Sequence, residues 1–402
     1  MKTRLPIIFI MITLVIDAMG IGLIMPVMPD LIQQLRHTDL GSAALWGGVM
    51  ATSFAVMQFL FSPLIGNLSD RYGRRRVLLV SLFFVTLDYL VMAVAGTIWL
   101  LLAGRIVGGI TSATQSTATA FMADISSAKD KAKNFGLVSA AFGIGFVLGP
   151  IIGGLLSTLG PRAPFYAAAI LAAGNFVFGY FILPETVTDA IRRPLDWRRA
   201  NPLGAFIHIG RLPKLKALMV IHFLHSIAFF VYPAVWAYFT RERFGWDGLM
   251  VGYSLAIFGI SMVVVQGFLI RLIIPRIGEV KTVFLGLAID MVSFLTIGFV
   301  SNGMIALALT PLTALGAITG PALLSIMSRE ADDNQQGELQ GVLSSVGSVG
   351  MILSPIVMTQ TFSYFISPSA PIYLPGAPFF LSTVLVAICY GIYLSINKPE
   401  KA

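Results

Sequence analysis

Three aspartates stand inside long apolar runs: Asp17 in Leu14-Val-Ile-Asp17-Ala-Met-Gly-Ile-Gly22, Asp88 in Thr86-Leu-Asp88-Tyr89, and Asp290 in Gly286-Leu-Ala-Ile-Asp290-Met291. A carboxylate removed from water is costly, so such a group holds a proton when sealed and gives it back when water returns. Proton exchange is the chemistry these positions invite, with a structural hydrogen bond to a neighbouring helix as the plainer reading of each. Arg105, in Leu102-Ala-Gly-Arg105-Ile-Val-Gly108-Gly109, lies at similar depth. An arginine there costs at least ~2.5 kcal/mol unless it faces a cavity or a partner. Asp17, Asp88, Arg105 and Asp290 are therefore the candidate proton-coupling residues. Gln58 and Gln266 are neutral amides at mid-run that could contact a solute. His222 and His225 lie three apart, but no third ligand accompanies them, so they do not amount to a metal site.

Two further strings carry mechanical meaning. Gly66-Asn-Leu-Ser-Asp70-Arg71-Tyr-Gly73-Arg74-Arg75-Arg76 fills one short polar connection. Gly66 and Gly73 permit a tight reversal, and Asp70 among the cations can form a pair weak enough to break, as a gate requires. The three consecutive arginines alone would read as a membrane anchor. Gly145-Phe-Val-Leu-Gly149-Pro150-Ile-Ile-Gly153-Gly154 gives a smooth face at four-residue spacing, bent by a proline that lacks a backbone donor. Asp124, followed by Lys129, Lys131 and Lys133, is expected to close the cytoplasmic end of its span.

The elements that must position these groups are transmembrane helices. Of 402 residues, 56% are apolar and 11% charged, and mean hydropathy is +0.85. A soluble chain would carry about twice that charge. Disorder, a secreted disulfide scaffold and an ordinary cytosolic enzyme are excluded, and the lone Cys389 says nothing of redox compartment. Apolar runs at about 6–28, 43–65, 77–96, 98–122, 135–157, 164–183, 217–239, 249–270, 282–300, 303–326, 338–365 and 378–396 predict twelve spans. The first is too long for a signal-peptide core and is expected to be retained.

With the N-terminus placed inside, 22 of the 27 Lys and Arg fall in inside segments, and only Arg36, Arg162, Arg241 and Arg243 fall outside. That bias predicts both termini in the cytoplasm. The net charge of +8 is spread over many loops, which suits anionic headgroups and not nucleic acid. The polar stretch 185–216 reads as a cytoplasmic linker, with a surface helix around 203–211. It separates an N-terminal bundle (1–184) from a C-terminal bundle (217–402), six spans each.

An offset of 205 residues aligns Arg71-x-Gly73-x-x-Arg76 with Arg276-x-Gly278-x-x-Lys281, and Gly136, Ser139, Gly145 and Pro150 with Gly341, Ser344, Gly350 and Pro355. Two coincidences at one offset predict parallel repeats around a central site. The expected fold class is all-α, two pseudo-symmetric six-helix bundles. No hydrolytic, kinase or nucleotide-binding signature is present, so neither an enzyme nor a resident cofactor is expected.

These residues resemble the major facilitator superfamily, and within it the drug:proton antiporters. The 66–76 loop is similar to the superfamily's signature loop, the run around Arg105 to its proton-coupling motif, and 145–154 to the exporter motif. Asp17-Ala-Met-Gly-Ile-Gly-Leu-Ile-Met-Pro-Val-Met-Pro29, Leu87-Asp88-Tyr89, Gly104-Arg105 with Gly109-Ile-Thr111, Arg243-Phe-Gly-Trp246, and Gln336-Gly337 with Leu339-Gln340-Gly341 resemble the tetracycline efflux transporters. The resemblance implies export of tetracycline, chelated to a divalent cation such as Mg²⁺, across the bacterial inner membrane in exchange for one proton. It gives Asp17, Asp88, Asp290 and Arg105 the roles of essential membrane residues, Asp290 either for coupling or for contact with the drug complex, and places Gln58 and Gln266 near the drug path. Drug, protons and lipid are the partners implied, with no obligate protein partner. Two positions depart from the family pattern: Met262 stands where some members carry a histidine four residues before the matching glutamine, and Lys131 replaces an arginine. A multidrug or sugar exporter on the same scaffold is the alternative.

Overall fold

The computed structural model describes residues 4–112, 114–127, 129–189, 192, 194, 201–204, 215–332 and 335–397. Most of the expected linker, including its surface helix beyond residue 204, lies outside the described residues, as do the basic residues Lys2, Arg193, Arg198, Arg199, Arg211, Lys214, Lys398 and Lys401. Among the described residues every regular element is helical. In order they are α1 (Arg4–Ile24), α2 (Met28–Arg36), α3 (Leu40–Tyr72), α4 (Arg74–Val94), α5 (Ile98–Thr111), α6 (Thr114–Ile125), α7 (Lys131–Ser157) and α8 (Ala163–Ile182), then α9 (Lys216–Phe229), α10 (Val231–Phe244) and α11 (Gly248–Val264). A π-helical turn (Val265–Leu269) leads into α12 (Ile270–Phe299). After it come α13 (Gly303–Thr313), a 3₁₀ stretch (Ala314–Ile318), α14 (Thr319–Glu330), α15 (Gln336–Ile366) and α16 (Ala377–Ile396).

Ten helical stretches among the described residues are long and apolar enough to cross a bilayer, against twelve expected spans. The expected span 98–122 is divided into α5 and α6. Its hydroxyls explain the break: Thr111 Oγ1 donates to Val107 O at 3.0 Å, and Ser112 Oγ donates to Gly109 O at 2.8 Å. Carbonyls engaged this way compete with the helix's own ladder. The expected spans 249–270 and 282–300 lie in one 52-residue stretch, Gly248–Phe299. A straight helix of that length would run about 78 Å, over twice the hydrocarbon thickness. Gly278 interrupts it at φ 77°, ψ 163°, a conformation open to glycine and strained for any other residue.

Prolines and hydroxyls shape other spans. The first ends at Ile24 and not at 28 because Pro26 and Pro29 follow; the chain turns and resumes as the short helix α2. Pro233 removes the donor for the Phe229 carbonyl, and the chain steps from α9 to α10 at Phe230. Pro311 and the Thr310 and Thr313 hydroxyls, which donate to Ala306 O and Thr310 O, precede the 3₁₀ stretch. The 205-residue offset carries Ser112 onto Ala317, so the fourth and tenth spans break at matching positions.

The chain divides into two compact units. The first comprises Met1–Thr38, Ser53–Pro202 and Gly248–Ala256, and the second Asp39–Thr52, Leu203–Asp247 and Ile257–Ala402. In the first, α1 packs along α7 and α8, and α4 along α8 and α5, around Phe9, Leu14, Leu78, Phe121 and Met122. In the second, α12 and α9 pack on α16, and α9 on α15. Tyr232, Trp236, Phe239 and Phe379 form its aromatic core. Each unit takes in a segment distant in sequence because a glycine lets backbones touch. In the second unit Gly48 abuts Thr359, and Thr52 Oγ1 donates to Ile352 O at 2.9 Å. In the first, Gly252 meets the Gly154 backbone.

Candidate functional site

In the first unit α4 and α5 bring Asp88 and Arg105 into a buried ion pair. Gly104 and Gly108 lie one turn apart on α5 and make room for the carboxylate: a Cβ on Gly108 would stand 2.6 Å from Asp88 Oδ2. The guanidinium also lies over the Phe54 ring, 4.8 Å from its centroid, a contact that favours a desolvated cation. Asp88 Oδ1 and Arg105 Nε make no hydrogen bond among the described residues. A buried acid with one oxygen left open is where a proton can bind, and such exceptions mark function more often than fold. Tyr89 lies in the field of Asp17, Asp88 and Arg105, and its hydroxyl packs against Gly20, one turn beyond Asp17. Asp17, Asp88 and Arg105 are thus gathered in one unit, with Asp17 only partly buried.

The same unit holds a cavity of about 420 Å³ lined by Gln58, Ser62, Ser112, Gln115, Ser116 and Thr119. Gln58 was expected in such a place; Ser112, Gln115, Ser116 and Thr119 were not singled out. Their signal was legible: positions 112, 115, 116 and 119 repeat at helical spacing as a polar stripe on an otherwise apolar span. The lining is all amide and hydroxyl, which suits an oxygen-rich uncharged surface presented by a ligand.

The stretch 66–76, expected as a connecting loop, is helical except at Gly73, because α3 runs to Tyr72 and α4 begins at Arg74; it is built around Arg74. Its guanidinium binds Asp70 at 2.5 Å, Asp124 at 3.2 Å and Ser69 Oγ at 2.5 Å. Its backbone N–H donates to Glu185 Oε1 at 2.8 Å. Thr186 Oγ1 donates to the same Asp124 oxygen at 3.1 Å. Gly73, at φ 107°, lets α3 reverse into α4, and the Glu185 carboxylate occupies the space where a Cβ would stand. The triple arginine therefore divides: Arg74 is held by acids, Arg75 donates to Tyr180 O at 2.7 Å, and Arg76 is exposed. Arg71 lies over the Tyr72 ring. Glu185 and Thr186 are partners that the sequence placed in the linker, without a role at this site. Among the described residues Gly66 meets nothing that a Cβ would disturb.

On α7, Gly145, Gly149 and Gly153 lie against the α1 backbone at Val15, Met19 and Leu23, and Gly154 against Gly248 and Gly252. The expected smooth face is a close helix contact. Pro150 touches Gly22 across it. A Cβ on Gly149 would stand 2.5 Å from Met19 O, and that backbone has nowhere to go. Gly149→Val is expected to destabilise the protein by on the order of 3 kcal/mol, read as thermal unfolding in detergent. Gly174, with open space around its Cα, is the control: Gly174→Ala should be neutral or gain about 0.5–1 kcal/mol.

In the second unit Asp290 is buried on α12 and bonds His225 of α9, Oδ2 to Nε2 at 2.9 Å. The 3₁₀ stretch presses Gly316 against the same carboxylate. Sequence reading considered His225 only beside His222; its partner lies 65 residues away. Gln266 falls in the π-helical turn, a local form common at functional sites, and that turn packs on the 3₁₀ stretch through Val265, Ala317 and Ile318. Glu279 binds Arg329 at 2.6 Å and accepts from Ser325 Oγ at 2.9 Å. The 205-residue offset carries Arg74 onto Glu279 and Asp124 onto Arg329. The repeated ion pair is thus present in both units with its charges exchanged.

The profile of the Major Facilitator Superfamily matches residues 10–355 and 218–400. The class C tetracycline resistance protein of Escherichia coli is 41% identical over 363 residues, 90% of this chain and 91% of that protein. The class D protein of Salmonella ordonez is 35% identical, covering 98% of each. Among solved structures, the human organic anion transporter MFSD10 matches with a TM-score of 0.70 at 24% identity over 97% of this chain and 99% of that one. The nucleoside transporter NupG matches at 0.80 with 13% identity, over 99% and 100%. At those identities the structures speak for the fold, while the resistance proteins speak for kinship. This multi-pass chain belongs to the major facilitator superfamily of membrane transporters, where its relatives include the tetracycline resistance proteins.

Proposed function

We propose that the protein is a proton-coupled antiporter that exports tetracycline, as its divalent-cation complex, across the bacterial inner membrane. Twelve spans, counted by dividing Gly248–Phe299 at Gly278 and joining α5 to α6, form two six-helix bundles with both termini in the cytoplasm. The residues 185–216 link them. The buried Asp88–Arg105 pair carries this reading: it is a titratable acid held by a fixed cation, in the same unit as a polar cavity, in a chain whose relatives are tetracycline resistance proteins.

The mechanism follows from what each state of Asp88 allows. Ionised, it neutralises Arg105 and the pair stays buried. Protonated, it frees the guanidinium, which must then find another partner or water. Protonation therefore changes which arrangement of the helices is stable, and cargo that favours one arrangement over the other is coupled to the proton. Asp17, which acts on Tyr89 together with this pair, serves the same exchange. Arg74 with Asp70 and Asp124 latches the cytoplasmic end of its unit and releases when the helices move. With one proton exchanged per monocationic complex, each pH unit sustains about a tenfold cargo gradient.

Everted vesicles test this directly. They are expected to accumulate tetracycline when Mg²⁺ is present and an inward-acid gradient is imposed, and to lose it when the gradient is collapsed. Host cells lacking their own pumps should gain tetracycline tolerance on expression. Unchanged tetracycline tolerance with raised tolerance to an unrelated compound would overturn the substrate. The polar cavity predicts a finer effect: Gln115→Leu should raise KM for tetracycline about fivefold, the equivalent of one lost hydrogen bond of ~1 kcal/mol, with the maximal rate within about twofold. An unchanged KM would remove the cavity from the drug path.

A further inference from the structure

We propose that His225 is the proton-carrying partner of Asp290, making the second unit a proton-exchange site of a different kind from the first. This rests on the antiport reading. Nε2 and Oδ2 are 2.9 Å apart, and the two side chains are 10% and 2% exposed. The imidazole stacks on Phe229, and Phe229 packs against Tyr232 and Phe258. On the far side of the carboxylate the Gly316 backbone is so close that no Cβ would fit. Among the described residues His225 is the only basic side chain paired with Asp290.

Among the described residues, other elements packed around the pair supply no fixed charge. His222 lies one turn away on α9 and meets the backbone of Leu343 from α15. Cys389 on α16 donates its thiol to Ile221 O at 3.6 Å. Tyr232 comes from α10, and Thr319 from α14 lies beside the carboxylate. A buried ion pair adds little stability over well-packed apolar groups, so such a pair is weakly explained by folding. Histidine is the side chain that ordinarily changes charge between about pH 5 and 8.

The contrast with Asp88 gives the pair its meaning. Arginine does not release its protons, so neutralising Asp88 must break its ion pair. Imidazole does release them. In the charged state an imidazolium donates from Nε2–H to the Asp290 carboxylate. That N–H can break as an O–H forms on Oδ2, leaving neutral imidazole and neutral acid. Alternatively the Nδ1–H breaks and its proton passes to water, leaving neutral imidazole donating from Nε2 to the carboxylate. The first shift only relocates the proton within the pair; the second releases one proton to water, and in both the hydrogen bond between α9 and α12 survives. The first unit thus exchanges a proton by parting its helices, the second without parting them. At the 205-residue offset Asp17 falls on His222, so the first helix of each half carries a titratable group at this level.

The test uses purified full-length protein in liposomes, with tetracycline and Mg²⁺ as probe. Counterflow exchange, which moves no net protons, is compared with accumulation driven by an imposed pH gradient. His225→Gln is expected to keep counterflow within about twofold, lose gradient-driven accumulation by tenfold or more, and alter the pH profile of transport. His225→Lys keeps a cation opposite Asp290 without a titration near neutrality, and should show the same split even if loss of the pair impairs folding. If neither variant folds, infrared difference spectra of wild-type protein carrying isotope-labelled histidine decide. An imidazole band titrating together with a carboxyl stretch supports the proposal, and independent titration overturns it. Either variant coupled as well as wild type, with an unaltered pH profile, overturns it while antiport stands. Wild-type protein indifferent to the gradient would instead overturn antiport itself.

Discussion

Vesicles carrying Asp88→Asn are expected to hold tetracycline no higher than passive equilibrium, a loss of about a hundredfold where two pH units are imposed. Drug binding should stay within about threefold, because the cavity is lined by other residues. Asparagine fills the same space between Gly104 and Gly108 and can still accept from Arg105, but it has no proton to exchange. It also leaves the guanidinium uncompensated, and stripping one partner from a buried pair costs about 3–5 kcal/mol. A lower unfolding temperature should therefore accompany the loss. Arg105→Lys separates these effects. It keeps the charge but loses the planar group over Phe54, so stability should fall less while coupling weakens. Uphill accumulation by the Asn variant at the wild-type level would remove Asp88 from the proton path.

Arg74→Ala is expected to cut the maximal transport rate tenfold or more with KM within about threefold. Three acids converge on this residue: Asp70 and Asp124 on its guanidinium and Glu185 on its N–H. Without the cation, Asp70 and Asp124 repel. A hydrogen bond to a charged group is worth about 1.5–3 kcal/mol, reduced here because Asp70 and Asp124 are partly exposed, at 26% and 20%. Their latch then no longer favours one arrangement, which slows the cycle without touching the cavity. Arg76→Ala is the control. That side chain is exposed, and its removal should change the rate less than twofold. Equal effects from the two arginines would mean that the loop acts as a membrane anchor and nothing more.

How far the sequence could be read depended on the range of the interaction. Apolar runs reported the spans because burial in lipid is a property of each residue alone. The glycines at 145, 149 and 153 reported a close contact because their spacing is itself the contact face. The broken helices were missed, since Thr111 and Ser112 act through their own backbone carbonyls and leave the hydropathy of the run unaltered. His225 was missed for another reason: its partner is on a helix 65 residues away, and no local pattern encodes that pairing. The repeat was legible through Arg71, Gly73, Arg276 and Gly278, where identity persists. It was invisible at Arg74 and Glu279, because matching by identity scores an exchange of sign as a difference.

That exchange of sign bears on how the two halves can be altered or recombined. Grafting the stretch 66–76 in place of 271–281 would set an arginine at position 279 against Arg329, turning a clasp into a repulsion. The reverse graft would set a glutamate at position 74 beside Asp124 and Glu185. Although they descend along one pattern, the halves are no longer spare parts for each other. Chimaeras drawn from them must carry each acid and its base across together.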